Sequence, residues 1–175
     1  MENLKNCINN DLANNYGNLC QRTISFALKN CDKKIPDKID LNEEDKIILD
    51  KYTSNMDDLR TKIENQNINY YIDFIVNSLF AANKYFNDQE PWKKKEDQLR
   101  LNSIVYTTLE IIRKVSFMLY PIIPETTLKA LKIFGIKESD INFSSIANHD
   151  YLKLGNEIKS SDILFKKIEK DKNDD

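Results

Sequence analysis

Asp97-Gln-Leu-Arg-Leu-Asn-Ser-Ile-Val-Tyr-Thr-Thr-Leu-Glu-Ile-Ile-Arg-Lys-Val-Ser-Phe-Met-Leu119 is the stretch on which the fold turns. Through Leu101, Ile104, Val105, Leu109, Ile111, Ile112, Val115, Met118 and Leu119 it is apolar on most sides of a helix. It is therefore expected to be the central, most buried member of a helical assembly. Pro121 stops it. The segment Tyr120-Pro-Ile-Ile-Pro-Glu-Thr-Thr127 then turns the chain, with Pro124 suited to the first position of a further helix that finishes at Phe134 and Gly135.

Three more helices are predicted upstream. From about Leu4 to Cys31 apolar residues recur at helical spacing (Leu4, Ile8, Leu12, Leu19, Ile24, Ala27, Leu28, Cys31). A polar stripe, Asp11, Asn14, Asn18, Arg22, Ser25 and Lys29, follows the same helix at steps of three or four. Asp32 to Leu41 reads as a loop, and Asn42 with Asp45 three residues on caps a second helix near Glu43. Ile48, Tyr52, Met56, Leu59 and Ile63 form its narrow apolar stripe, which the run Glu64-Asn-Gln-Asn67 interrupts. Ile68, Ile72, Ile75, Val76, Leu79 and Phe80 define a third helix, whose last turns carry Asn83, Lys84, Tyr85 and Phe86. With the central helix fourth and the Pro124 helix fifth, short links describe an all-α, antiparallel helical bundle of about five helices over residues 1–142. Beyond Gly135 the periodicity fades, and Asp140 to Ser161 reads as loops. Residues 143–175 are expected to form a C-terminal irregular tail that lies back on the bundle through Ile163-Leu-Phe165, with Lys170 to Asp175 disordered.

Composition agrees with a helical domain. Gly 3 and Pro 4 in 175 residues leave little material for a turn-rich β fold. No stretch approaches the roughly 18 consecutive apolar residues of a membrane span, and the first residues lack the layout of a signal peptide. A soluble, cytoplasmic protein with no membrane partner is expected. Cys7, Cys20 and Cys31 are odd in number and widely spaced; they suit neither a disulfide framework nor a zinc site and read as small semi-buried residues. The net charge of -2 argues against a general nucleic-acid binder, because sequence-independent affinity rests on excess Lys and Arg. Any nucleic acid must be recognised by a small local site.

Catalytic chemistry is hard to assemble. The one histidine, His149, lies in a predicted loop, and Glu43-Glu44 and Asp57-Asp58 sit in helices already rich in charge. No catalytic residue, metal ligand or cofactor site is assigned to this chain.

One local feature does suggest recognition. Ala81 to Lys95 carries the chain's only tryptophan, Trp92, after the helix-breaking Pro91 and directly before Lys93, Lys94 and Lys95. A ring held stiffly at a helix junction beside lysines suits a nucleic-acid base beside its phosphates. The same placement also suits a ring that caps the core at a turn, with the lysines as a solvated surface. Local spacing does not separate the two.

Two longer segments, Asn10-Asp-Leu-Ala-Asn-Asn-Tyr-Gly-Asn-Leu-Cys-Gln-Arg-Thr23 and Ala82-Asn-Lys-Tyr-Phe-Asn-Asp-Gln-Glu-Pro-Trp-Lys93, resemble the C-terminal helical anticodon-binding domain of methionyl-tRNA synthetases, which are class I aminoacyl-tRNA synthetases. Leu119-Tyr-Pro-Ile-Ile-Pro-Glu-Thr126 and Ile163-Leu-Phe-Lys-Lys-Ile-Glu169 add to the resemblance, although that family more often has Pro-Arg at Lys166-Lys167. The motifs run in the expected order from about Asn9 to Glu169. The family's nucleotide-binding fold, with its His-Ile-Gly-His-like and Lys-Met-Ser-Lys-Ser-like signatures and zinc knuckle, is missing. The chain is thus expected to be either part of a longer enzyme or a naturally separate anticodon-binding piece.

The resemblance implies that Asn18 and Arg22 read the first anticodon base, a cytosine, that Trp92 stacks on it and that Pro91 shapes the turn. Residue chemistry is compatible. Asn18 and Arg22 are four apart on one helix face, so an amide and a guanidinium can converge on the Watson-Crick edge of a splayed-out cytosine. Stacking contributes roughly 1–3 kcal/mol per base but cannot choose among bases, so the choice falls to that pair. Lys93, Lys94 and Lys95 are candidate phosphate contacts. The implied partners are the tRNA(Met) anticodon loop, with its CAU triplet, and an N-terminal catalytic domain using ATP and Mg2+ to attach methionine. Two alternatives stay open: an anticodon-binding domain of a related class I synthetase, and a helical protein-interaction domain anchored by Trp92.

Overall fold

The computed structural model describes residues 14–149 and 151–159. Its helices are α1 (Asn14–Asn30), α2 (Glu43–Ser54), α3 (Met56–Glu64), α4 (Ile68–Gln89), α5 (Gln98–Leu119) and α6 (Pro124–Ile133). Short 3-10 turns occupy Pro91–Lys93, Glu138–Asp140 and Phe143–Ile146. No strand is present among the described residues, where extended pairing is limited to one isolated bridge between Lys34 and Glu157.

The five expected helices form the bundle, and local chemistry explains their ends. Asn42 accepts from the Asp45 N–H while Asp45 accepts from the Asn42 N–H, closing a reciprocal capping box on α2. Asn67 and Asp97 accept from Tyr70 and Arg100 N–H at the starts of α4 and α5. Pro124 opens α6, whose missing donor is not needed at that position. Gly135 has φ 75, and the bonds Ile136 N–H to Leu131 O and Gly135 N–H to Lys132 O close a Schellman motif after it.

One expected element is interrupted. The second helix breaks at Asn55 into α2 and α3, where the Ser54 hydroxyl and the Asn55 amide donate to the carbonyls of Asp50 and Lys51. Those side chains compete with the backbone ladder, yet the apolar stripe keeps its phase: Ile48, Tyr52, Met56 and Leu59 are all buried.

Helix α5 lies at the centre, and α1, α2, α4 and α6 all pack on it. It is buried almost continuously from Leu101 to Leu119. That burial includes charge. Glu110, Arg113 and Lys114 are each 0% exposed. Arg113 bonds Glu110 and donates to the carbonyls of Ser145 (2.7 Å) and Asn148 (2.6 Å), while Lys114 donates to the carbonyls of Ile146 and Asn148. Arg113 also stacks against the rings of Phe117 and Tyr151. Charges this deep persist only when paired and hydrogen-bonded, so the cluster ties the segment after Asn142 to the middle of α5. Beyond it, Gly155 and Asn156 bond Ile35, Ile158 bonds Lys33, and Lys159 bonds the carbonyl of Ile133. The patch Ile163-Leu-Phe165 lies outside the described residues, as do Leu4 to Leu12 and Cys7 of the expected first helix.

Candidate nucleic-acid interface

Helix α1 presents two faces. Tyr16, Leu19, Cys20, Thr23, Ile24 and Ala27 turn inward, and the Tyr16 hydroxyl meets the Ser116 hydroxyl of α5. Asn14, Asn18, Arg22 and Lys29 are exposed on the other side. The inner face is packed hard enough to fix the orientation of the outer one.

Helix α4 ends at Gln89, and Glu90 takes a left-handed backbone (φ 44, ψ 58), an uncommon conformation for a residue with a side chain. A right-handed helical conformation is disfavoured directly before proline, so the chain leaves the helix here. Pro91 is buried and opens the 3-10 turn Pro91–Lys93, and bonds from Lys93 N–H to Glu90 O and from Lys94 N–H to Pro91 O close it. Trp92 stands at the tip with 40% of its surface exposed. The ring is thus both held and reachable.

The two segments meet through Phe86. Its ring makes edge contacts with Trp92 (centroids 6.2 Å apart) and with Phe26 of α1 (6.0 Å), and the Arg22 guanidinium lies 5.7 Å from its centroid. Arg22 Nη2 also donates to Asn87 Oδ1 at 2.6 Å. Arg22 and Trp92, 70 positions apart, therefore flank one buried ring, with Asn18 exposed one helical turn before Arg22. The site presents an exposed indole and a guanidinium that both pack against Phe86, with Asn18 one turn along α1 from Arg22, and an unstacked base fits that chemistry.

The lysines are not equivalent. Lys93 Nζ pairs with Glu90 Oε1 at 2.7 Å on the surface, whereas Lys94 and Lys95 extend into solvent. An exposed pair of this kind contributes little to stability and yields readily to a phosphate.

Support for the tip comes from residues whose sequence context marked them only as a cap or as helix ends. Asp45, 0% exposed, accepts from the Tyr85 hydroxyl near the end of α4 and from both terminal nitrogens of Arg100 at the start of α5. Arg100 Nη2 also donates to Gln89 Oε1 at 2.7 Å, and Gln89 Nε2 donates to Glu44. Burial pushes the Tyr85 hydroxyl above its ordinary range, and the Asp45 carboxylate adds to this, so Tyr85 remains a donor at neutral pH. The cap spacing of Asn42 and Asp45 marked Asp45, and Tyr85 stood in the last turns of a predicted helix; neither reveals the shared carboxylate. His149, in the predicted loop, is half-buried with Nε2 2.7 Å from the Thr53 hydroxyl and 3.4 Å from Asp50.

A family model described as the anticodon binding domain of methionyl tRNA ligase matches residues 35–175. The methionine–tRNA ligase of Brucella suis biovar 1 is 35% identical over 146 residues, covering 83% of this chain and 28% of that protein. That of Rickettsia felis is 33% identical over 174 residues, covering 97% of this chain and 34% of its own length. The crystal structure of the apo form of Mycobacterium tuberculosis methionyl-tRNA synthetase superposes with a TM-score of 0.83 at 28% identity, over 93% of this chain and 33% of that one. The chain thus spans about a third or less of the length of these relatives.

Proposed function

The chain belongs to the family of methionyl-tRNA ligase anticodon-binding domains, and on that premise we propose that it reads the CAU anticodon of tRNA(Met) through the site built on Arg22 and Trp92. Trp92 stacks on the first anticodon base, Asn18 and Arg22 bond the Watson-Crick edge of that cytosine, and Pro91 fixes the turn that presents the ring. Lys93, Lys94 and Lys95 contact neighbouring phosphates, Lys93 exchanging its Glu90 pair for one. The bundle carries the site, and the described residues after Asn142 lie back on it.

In the whole enzyme this domain supplies tRNA specificity. An N-terminal catalytic domain, using ATP and Mg2+ in the cytoplasm, joins methionine to the tRNA bound here. One observation supports the reading: Arg22 and Trp92, which lie in separate sequence motifs, both pack against the Phe86 ring. Electrostatics fit, since with a net charge of -2 the affinity must come from a local contact.

The test is titration of a labelled CAU anticodon stem-loop followed by anisotropy. Trp92→Ala and Arg22→Ala are each expected to weaken binding by about tenfold or more while circular dichroism stays native. Unchanged titrations for both variants remove the assignment.

A further inference from the structure

The turn that carries Trp92 joins the end of α4 to the start of α5, so it is the tip of a helical hairpin. Such a tip is free to fray unless its two stems are fastened together. Here the fastening comes from a third element. Tyr85 lies seven residues before Trp92 and Arg100 eight after it, and the Asp45 carboxylate of α2 binds both.

Every acceptor position of that carboxylate is used. Oδ1 takes the Tyr85 hydroxyl and Arg100 Nη2 (3.0 Å); Oδ2 takes Arg100 Nη1 and the Asn42 N–H (3.1 Å). The fork of Arg100 gives the contact direction as well as charge, and its Nη2 also reaches Gln89 Oε1 in the last turn of α4. Asp45 is fully buried, and the Arg100 side chain is 17% exposed, so water does not compete effectively for the contact. Within the tip, Asp97 N–H to Lys94 O and the Asp97 cap on Arg100 N–H continue the restraint toward α5.

We propose that Asp45 is a positioning residue for anticodon recognition: by clamping Tyr85 and Arg100 on either side of the turn, it sets the place and orientation of the Trp92 ring. This rests on the reading of Trp92 as the base-stacking residue. Asp45 itself touches no RNA. Its influence passes through the hairpin stems, because a recognition group must be held within about 0.5 Å of its working geometry by a supporting shell.

The test uses this chain, whose only tryptophan reports on the tip without labelling. Acrylamide quenching of Trp92 is measured for wild type and Asp45→Asn, and binding of a CAU anticodon stem-loop for wild type, Asp45→Asn, Trp92→Ala and the double variant. Asp45→Asn is expected to raise the quenching constant and to weaken binding by about fivefold, with no further loss when it is added to Trp92→Ala. If the same loss appears in the Trp92→Ala background, Asp45 acts by general loosening and the positioning role is overturned. Unchanged quenching together with unchanged affinity also overturns it. If Asp45→Asn lacks a native circular dichroism spectrum, Tyr85→Phe, which removes one hydroxyl from the clamp, decides by the same criteria. If quenching rises but Trp92→Ala binds RNA as wild type does, the clamp on the ring is upheld and the stacking role of Trp92 is what fails.

Discussion

Arg22 of α1 donates to Asn87 of α4 across 65 positions, at 2.6 Å between Nη2 and Oδ1. One of the guanidinium's five N–H groups is thereby used, and with the Phe86 ring beside it the bond restrains the fork. Asn87→Ala is expected to free the Arg22 rotamer and weaken CAU stem-loop binding by about three- to tenfold, reflecting about 0.5–1.5 kcal/mol of side-chain ordering. Thermal unfolding should barely move, because the bond is on the surface. Isothermal titration against the stem-loop checks the first expectation and a melting curve the second.

The buried cluster on α5 should behave in the opposite way. Arg113→Met leaves Glu110 buried with Lys114 as its remaining cationic neighbour, at 3.7 Å, and unfastens the carbonyls of Ser145 and Asn148. Removing one partner of such a pair costs about 3–5 kcal/mol, readable as a lower urea midpoint. Adding Glu110→Leu is expected to recover part of the loss, since the uncompensated charge is then gone. A double variant no more stable than Arg113→Met would show that the loop anchorage, not the charge, is what matters.

These two clusters mark the boundary of what the sequence discloses. The central place of α5 was legible because Leu101 to Leu119 has apolar residues on most sides, and a helix of that kind has nowhere to go but inside. Arg113 and Lys114 belong to the same stretch, but their partners are carbonyls about 32 to 35 residues downstream, in a segment without periodicity. The break at Asn55 was hidden for another reason: the apolar stripe crosses it in phase, and only the side-chain bonds of Ser54 and Asn55 mark it. For the candidate site, the turn at Pro91 and the exposed face of Asn18 and Arg22 followed from local rules. Their meeting was implied only by the family resemblance and not by local rules, because Phe86 read simply as part of the last turns of α4 and spacing carries no information across 70 positions.

The cysteines give a pH expectation. Burial, assisted by Asp32, pushes the Cys31 thiol up to about 12, and burial raises Cys20 as well. At pH 8 neither should react with a thiol reagent in the folded chain, and both should react in denaturant. A Cys7→Ser background keeps the remaining cysteine from contributing. Because the folded thiol holds its proton more tightly than the unfolded one, its stabilisation is complete below the unfolded value near 9 and is lost as pH rises through about 12. The urea midpoint should therefore fall across that window, and a Cys31→Ala variant should lose part of that fall.

Gly135 offers a cleaner backbone test. A Cβ built there meets nothing within 4 Å, so Gly135→Ala introduces no clash and acts only through φ 75. The left-handed conformation costs a residue with a Cβ about 1–2 kcal/mol, which a urea titration resolves. Stability equal to wild type would mean that the end of α6 rearranges at no cost.

The most direct measurement of the central claim is the affinity of this chain for anticodon stem-loops that differ only in the first base. The hydrogen-bonding pair Asn18 and Arg22 should favour the CAU loop over UAU by about tenfold, a difference of about 1.4 kcal/mol, while Trp92 stacks on either base. Asn18→Ala should bring the two affinities together. Equal binding of CAU and UAU by the wild-type chain would contradict the account, because Arg22 and Asn18 would then not be reading the base that Trp92 holds.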